Sequence, residues 1–356
     1  MNAPNALPTS GLDDTVFAHT RLSDVDGAAG RLVIAGVDAE RAEGHTLASF
    51  ATTLWDADHD LSADLGRARV NAFAALPAVA AALAQPDGMD ALRSALSLLP
   101  GDPDDALAHV GATAVFAAAW MRTQRGERPI APDPARGHGE DLLRMIRGGE
   151  VTPAEADAME AYLRTVSDHG MNASTFTARV VASTGADLRA SLVAALGALK
   201  GPLHGGAPGP VLDMLDAIAT PERALPWLDA ELAAGRRIMG MGHRIYRVRD
   251  PRAAVFERAL ERLAEAGTHS PRLSLARAVE RAAEGVLRAR HPNRPLHANV
   301  EFYTAVLLDV LGVPREGFTT VFAVGRVVGW CAHVAEQRAH GRLVRPSSRY
   351  VGPAAA

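Results

Sequence analysis

Apolar residues recur at a spacing of three and four positions through most of the chain from Ala48 onward, in a sequence rich in Ala, Leu, Arg and Glu. This spacing places apolar side chains on one face of an α-helix, whereas the sustained alternation typical of strands is scarce. The sequence therefore predicts a mostly helical fold. The predicted helices span residues 69–84, 104–122, 139–146, 153–167, 173–181, 187–199, 211–219, 253–266, 274–290, 299–311 and 319–340.

The best candidate for β structure is the apolar stretch from Arg31 to Val37, which follows Gly30 and contains Gly36. Glycines at such points favour turns, so this stretch is predicted to form one strand of a small N-terminal hairpin. We expect the hairpin to lie at the periphery of the fold.

The length and charge of the chain limit its organisation and its ligands. A chain of 356 residues exceeds the size at which one hydrophobic core usually stops growing, so two structural domains are predicted. A formal net charge of −4 provides no general basic field for nucleic acid or an anionic membrane. Lys200 is the only lysine, so a Schiff-base mechanism is excluded unless Lys200 serves, and an anionic ligand has to meet a local cluster of Arg.

Cys331 is the only cysteine and lies within an apolar run, residues 327–334. An intramolecular disulfide and a thiolate metal cage are therefore excluded, and a reducing cytoplasm fits the sequence. Residues 1–14 lack the basic and apolar regions of a secretory leader, and no uninterrupted apolar run reaches membrane-spanning length. We expect a cytoplasmic protein.

Residues 201–210 interrupt the helical pattern and contain His204. The prolines near Pro210 suit the first turn of a helix, so His204 is predicted to lie shortly before a helix N-terminus, whose partial positive charge disfavours imidazolium. A neutral imidazole there could donate a hydrogen bond to a carbonyl that is becoming an enolate. The alternative is a turn whose histidine caps a backbone group.

A second interruption, residues 239–253, contains two glycines, one histidine and four arginines within nine residues. Gly240 and Gly242 allow a ligand to approach the backbone, but Ile245 stands where a dinucleotide-binding fingerprint has its third glycine. The arginines suit carboxylate and phosphate recognition, and a solvated basic loop is the alternative.

The third interruption, residues 296–303, places Glu301 between two apolar residues at the start of an apolar helix. Such a carboxylate is either a partner of the helix dipole or a catalytic base. His333, Glu336 and His340 could share a helix face, but no metal-binding pattern accompanies them, and a solvated face is favoured.

Several segments taken together resemble the citrate synthases, including the related 2-methylcitrate synthases. The resemblance extends in order and spacing from about Val33 to Gly352. Its signatures are residues 167–174 (SDHGMNAS), 201–206 (GPLHGG), 240–252 (GMGHRIYRVRDPR), 299–303 (NVEFY), 322–330 (FAVGRVVGW) and a C-terminal motif formed by residues 345–346 and 350–353.

The resemblance implies an all-α fold and a homodimer. A large domain would contain residues 1–205 and 313–356, and a small domain residues 206–312. The active site would lie in the cleft between the domains, which would close over oxaloacetate and create the site for the acyl-CoA.

The resemblance also implies a role for particular residues. Glu301 would take a proton from the acyl methyl carbon, while His204 would stabilise the enolate oxygen and His243 would protonate the ketone of oxaloacetate. Hydrolysis of the thioester would then give citrate and CoA, with no metal or other cofactor. Oxaloacetate would be held by His169, Arg252 and Arg345, and CoA by Arg247 and by the backbone around Ile238, Met239, Gly240 and Met241.

Two positions depart from the family pattern. The family usually has Asp where this chain has Glu301, and a commonly basic position two residues after Arg345 is Ser347. A substrate-binding Arg that many members supply from the partner's C-terminal tail has no assignment here. A 2-methylcitrate synthase that uses propionyl-CoA and a catalytically silent ligand-binding paralogue are the competing hypotheses.

Overall fold

The computed structural model is built mainly from helices, with one small sheet. It describes residues 15–205, 208–243, 245–268, 270–292, 296–348, 350 and 352–353. Gly206, Arg244 and Val351, which belong to three of the quoted motifs, lie outside the described residues. The all-α fold class is confirmed. The helices are α1 (Leu47–Leu54), α2 (Ser62–Ala74), α3 (Leu76–Leu83), α4 (Gly88–Ser97), α5 (Ala106–Gln124), α6 (His138–Arg147), α7 (Pro153–Val166), α8 (Ala173–Ala182), α9 (Leu188–Leu199), α10 (Pro208–Ile218), α11 (Ala224–Ala233), α12 (Pro251–Glu265), α13 (Pro271–Arg290), α14 (Val300–Val310) and α15 (Phe318–His340).

Three helices were not predicted, and one predicted helix is divided. Helices α1, α4 and α11 are short, with eight or ten residues each. The predicted helix 69–84 is divided at Ala75 into α2 and α3. Pro77 explains the division, because it has no N–H to donate to the preceding turn and its ring clashes with a continuing helix.

Helices α5 and α15 form the centre of the fold. Helix α5 packs against α2, α4, α6 and α15, and α15 also packs against α7, α8 and α9. Residues Arg315–His340 are long and apolar enough to cross a membrane, but 89% of their most apolar window is buried within the protein. This burial is typical of a core helix.

The helices between residues 208 and 312 pack largely on one another, through α10 with α14, α12 with α14, and α11 with α13. Helix α12 also packs on α7, where the rings of Phe256 and Tyr162 have centroids 5.3 Å apart. The domain boundaries after residues 205 and 312 stay a prediction.

The sheet consists of three antiparallel strands, β1 (Ser23–Asp26), β2 (Arg31–Ile34) and β3 (Val37–Asp38), in the order β1-β2-β3. The hairpin was predicted, and most residues of its strands are at least partly exposed. The carbonyl of Gly27, in the turn between β1 and β2, accepts a hydrogen bond from the backbone N–H of Arg247 at 2.9 Å. Ser23 Oγ accepts one from the N–H of Gly170 at 3.0 Å. The hairpin therefore lies against two of the segments that carry candidate site residues.

Candidate active site

His169, His243 and Arg252 come together although they are far apart in sequence. The rings of His169 and His243 have centroids 5.9 Å apart. The phenol oxygen of Tyr246 lies 3.1 Å from His169 Nε2, and the Tyr246 ring lies 4.7 Å from that of His243. Burial and the nearby charge of Arg252 lower the pKa of His169 well below its ordinary value. At neutral pH this imidazole is therefore uncharged.

The backbone of its own loop determines the orientation of His243. Its Nδ1 accepts hydrogen bonds from the N–H groups of Ile245 at 3.0 Å and Tyr246 at 3.1 Å. Burial, with a further effect of Arg252, lowers the pKa of His243 to about 4. A neutral imidazole whose Nδ1 accepts carries its proton on Nε2. His243 thus presents an N–H donor on the side where Arg252 Nη2 approaches within 3.4 Å.

Arg252 is buried and is held by Asp250, the N-cap residue of α12. The Asp250 carboxylate accepts from Arg252 Nε at 3.0 Å and Nη2 at 2.7 Å. It also accepts from the N–H of Val300 at 3.2 Å, at the start of α14. One carboxylate therefore ties the arginine to the helix that begins immediately before Glu301.

Glu301 lies in the first turn of α14, which Asn299 caps by accepting the Glu301 N–H at 3.2 Å. Burial raises the pKa of the Glu301 carboxyl above its ordinary value, and the positive charge of Arg252 opposes that rise. The carboxyl borders a small cavity together with Gly205 and Phe322. A buried carboxylate with a raised pKa is a stronger base than an exposed one.

Gly205, the residue that follows His204, borders the same cavity. The His204 ring packs edge to face against Phe322, another residue of the cavity wall, with ring centroids 6.4 Å apart. Its Nε2 lies 2.8 Å from Ser174 Oγ. Burial lowers the pKa of His204 to about 4, and the charges of Arg326 and Arg252 add to this effect. The imidazole is therefore neutral at pH 7, and the causes are burial and the two arginines. The predicted effect of the following helix N-terminus stays a prediction.

The segment predicted to bind CoA runs beside the start of α14. Ile238 and Gly240 are buried, and Met241 forms an isolated bridge with Ala298. Gly240 has φ +72°, and a Cβ there would lie 2.9 Å from the Phe302 ring, so this position requires glycine. Met239 is partly buried, and Arg247 is exposed. Residues 238–241 are thus held in place, whereas the backbone of Arg247 is hydrogen-bonded to Gly27.

Arg345, predicted to bind oxaloacetate, has no described contact with this cluster. It is exposed, in the segment after α15. The neighbouring Val344 donates its N–H to Ser183 Oγ at 3.0 Å, which holds the segment beside the end of α8.

The family model described as "Citrate synthase, C-terminal domain" matches residues 11–347 of the chain. The chain belongs to the citrate synthase family. A citrate synthase of Deinococcus radiodurans is 34% identical over 362 residues, which cover 96% of this chain and 95% of that protein. A putative citrate synthase 2 of Mycobacterium tuberculosis is 51% identical over 205 residues, which cover 58% of this chain and 54% of that protein, about half its length.

Solved citrate synthases have the same fold. The crystal structure of citrate synthase from Thermotoga maritima has a TM-score of 0.84 and 31% sequence identity, covering 98% of this chain and 97% of that chain. The citrate synthase of Thermoplasma acidophilum, in a ternary complex with carboxymethyl coenzyme A and oxaloacetate, has a TM-score of 0.85 and 26% identity, covering 97% and 96%.

Arg326, which was not among the predicted site residues, lies close enough to this cluster for its charge to contribute to the lowered pKa of His169 and His204. It is buried, its Nε donates to the carbonyl of Val166 at 2.6 Å, and its guanidinium lies over the Phe322 ring. Burial lowers its pKa to about 10, so it remains charged at neutral pH. The motif of residues 322–330 contained this residue, and an arginine within an apolar run was the signal that could have identified it.

The prediction of a solvated face for His333 was wrong. His333 is buried, and its Nε2 lies 3.0 Å from a carboxylate oxygen of Asp168. Arg179 Nε donates to His333 Nδ1 at 2.9 Å, so Nε2 carries the proton and donates to Asp168. Asp168 in turn accepts the backbone N–H of His169 at 2.8 Å. This chain of contacts holds the backbone of His169 in place.

Proposed function

We propose that this enzyme condenses acetyl-CoA with oxaloacetate and hydrolyses the thioester to release citrate and CoA. The observation that carries the proposal is the arrangement of Glu301, with its raised pKa, and two neutral histidines, His204 and His243, around Arg252. A base and two hydrogen-bond donors are what an enolate-forming condensation needs.

In this mechanism the Glu301 carboxylate takes a proton from the acyl methyl carbon, and His204 donates a hydrogen bond to the thioester oxygen. The resulting carbon nucleophile attacks the ketone of oxaloacetate. His243 donates its Nε2 proton to the ketone oxygen, which becomes the hydroxyl of the product. Water then adds to the thioester carbonyl, and the CoA thiol leaves.

We propose that the buried positive charges beside the histidines receive the carboxylates of oxaloacetate. The guanidinium of Arg252 lies next to His243 Nε2. The buried Arg326, like Arg252, lies close enough to His204 for its charge to lower the pKa of that histidine. A planar guanidinium matches a carboxylate with two parallel hydrogen bonds. His169 would add a neutral hydrogen-bonding group to this site.

A homodimer is part of the proposal, and Arg345 offers a way to test it. Arg345 is exposed, so in a dimer it could contribute to the cleft of the second copy. Mixing an Arg345→Ala variant with a Glu301→Gln variant tests this idea. Subunit exchange should restore part of the activity if the arginine acts across the dimer. Mixtures as inactive as the separate variants would contradict it.

The reaction itself is tested by following CoA thiol release with oxaloacetate and either acetyl-CoA or propionyl-CoA, in the presence and absence of a chelator. We expect release with both substrates present, a preference for acetyl-CoA and no effect of the chelator. A preference for propionyl-CoA would identify a 2-methylcitrate synthase. Binding of oxaloacetate without thiol release from either donor would indicate a silent paralogue.

A further inference from the structure

A small cavity between α7, α14 and α15 borders the Glu301 carboxyl. Tyr162 and Val166 line it from α7, Thr304 from α14 and Phe322 from α15. It has room for about one water-sized group. In the proposed reaction the acyl methyl meets Glu301, so an extension of the acyl chain beyond that methyl would lie next to this cavity.

Two residues that carry hydroxyl groups, Tyr162 and Thr304, line this cavity, whose other lining residues are apolar apart from Glu301. Tyr162 is 1% exposed and Thr304 is 4% exposed. Thr304 follows Glu301 by three residues, so both side chains lie on one face of α14. The hydroxyl of Tyr303 donates to Glu280 at 2.6 Å, whereas the described residues provide neither Tyr162 nor Thr304 with a hydrogen-bond partner for its hydroxyl.

The Tyr162 hydroxyl keeps its proton because its pKa is raised. Burial raises the pKa of this phenol, and Glu301 is among the neighbouring charges that contribute to the rise. The Tyr162 hydroxyl is therefore protonated at any working pH and both donates and accepts hydrogen bonds.

A buried hydroxyl is costly when it has no partner. An acetyl group leaves the cavity free for a water-sized group that can bond to both hydroxyls, whereas one more methylene would fill it and cover them. A purely apolar cavity would have the opposite effect, because an additional methylene gains from burial.

We propose that the hydroxyls of Tyr162 and Thr304 form a polar floor to the acyl pocket and select acetyl-CoA against donors with a longer acyl chain. This inference rests on the proposed condensation reaction. It assigns donor specificity to two residues that take no part in the proton transfers.

The variants Tyr162→Phe and Thr304→Val keep the shape of each side chain and remove only the hydroxyl. The measurement is kcat/KM for acetyl-CoA and for propionyl-CoA at saturating oxaloacetate. We expect the unaltered enzyme to favour acetyl-CoA by at least about tenfold. Each variant should lower that ratio by about five- to tenfold, mainly by improving the use of propionyl-CoA.

Thr165→Val and Tyr303→Phe are matched controls. Thr165 lies on α7, and its hydroxyl is also buried without a protein partner, but it does not line the cavity. Tyr303 is the neighbouring tyrosine on α14, and its hydroxyl bonds to Glu280. Neither control should change the ratio between the two donors, whatever it does to stability.

The outcomes separate this inference from the proposed reaction. Turnover by the unaltered enzyme, with a ratio that neither variant moves, would overturn the polar floor and leave the condensation reaction intact. A preference of the unaltered enzyme for propionyl-CoA would contradict the proposed selection of acetyl-CoA, whether or not the variants fold. Absence of thiol release with both donors would reject the reaction and the inference together.

Discussion

His204 Nε2 lies 2.8 Å from Ser174 Oγ, and the Trp330 indole N–H donates to the same oxygen at 3.3 Å. Ser174 Oγ thus accepts a hydrogen bond from Trp330. The Ser174 hydroxyl has two acceptors for its own proton, His204 Nε2 and Asn172 Oδ1, and the latter also lies 2.8 Å away. If Ser174 donates to Nε2, the neutral imidazole carries its proton on Nδ1 and can donate that proton to a thioester oxygen. The proposed mechanism, in which His204 donates to the thioester oxygen, therefore assigns Ser174 the role of a positioning residue for His204.

Replacing this serine should impair the chemical step. We expect Ser174→Ala to lower kcat by about 10- to 100-fold with little change in the KM for oxaloacetate, because the wrong tautomer cannot stabilise the enolate. Ser191→Ala, which removes another fully buried hydroxyl, is the control for folding. Equal kinetics in the two variants would argue against a role for Ser174.

Arg252→Lys should weaken the binding of oxaloacetate. Lysine keeps the charge but loses the planar pair of hydrogen bonds to Asp250 and the fork that matches a carboxylate. We expect the KM for oxaloacetate to rise at least about tenfold and the KM for acetyl-CoA to change less. Arg258→Lys, on the exposed side of the same helix, should behave as the unaltered enzyme. A normal oxaloacetate KM would remove Arg252 from the site.

Glu301→Gln should abolish turnover and exchange of the acyl methyl protons, because an amide cannot accept that proton. It should also stabilise the fold at pH 7. The pKa of Glu301 is raised in the folded protein, so its charged form is less favourable there than in the unfolded chain. Removing that charge relieves the penalty, which is greatest at pH values above the folded pKa.

The measurements for this variant are methyl proton exchange by NMR and thermal unfolding. Glu265→Gln, at the exposed end of α12, should change neither property. Glu301→Asp should also be impaired, since the shorter side chain falls short in a site arranged for Glu. Near-native turnover of Glu301→Gln would place the base elsewhere.

Gly27→Ala should disturb the loop that orients His243. A Cβ at Gly27 would lie 2.5 Å from the carbonyl oxygen of Ile245, whose N–H bonds to His243 Nδ1. The loop has to shift, so we expect kcat/KM for oxaloacetate to fall about tenfold. Gly285→Ala on α13 meets no atom within 4 Å and should leave activity unchanged while raising the melting temperature slightly. Normal kinetics of Gly27→Ala would separate the hairpin from the site.

Acid should destabilise the protein through two partly buried histidines, His204 and His243. The pKa values of His204 and His243 are about 4 in the folded protein, against about 6.5 in an unfolded chain. As pH falls below 6.5 the unfolded chain binds protons first, so stability decreases until about pH 4. Between pH 7.5 and 5 each histidine should cost about 1 to 2 kcal/mol. Urea unfolding of His204→Gln should show a smaller loss of stability between pH 7.5 and 5 than the unaltered protein. An identical loss of stability would contradict the lowered pKa of His204.

Much of this architecture could be predicted from local sequence patterns. The apolar spacing identified α5, α7 and α15, because a helix forms mainly from residues three and four positions apart. Loop-forming residues around His204, His243 and Glu301 marked the segments that carry the candidate chemistry. These patterns involve only residues that are close in sequence, so they can be recognised without knowing how the helices pack.

Only the tertiary structure decided which of these segments meet. Asp168 and His333 are separated by 165 positions in the sequence, yet they form a buried hydrogen bond at 3.0 Å. The hairpin turn at Gly27 contacts the loop of His243, and Tyr162 and Thr304 line one cavity from two helices. These contacts depend on how helices cross and on which side chains fill the space between them, and no local periodicity encodes that arrangement.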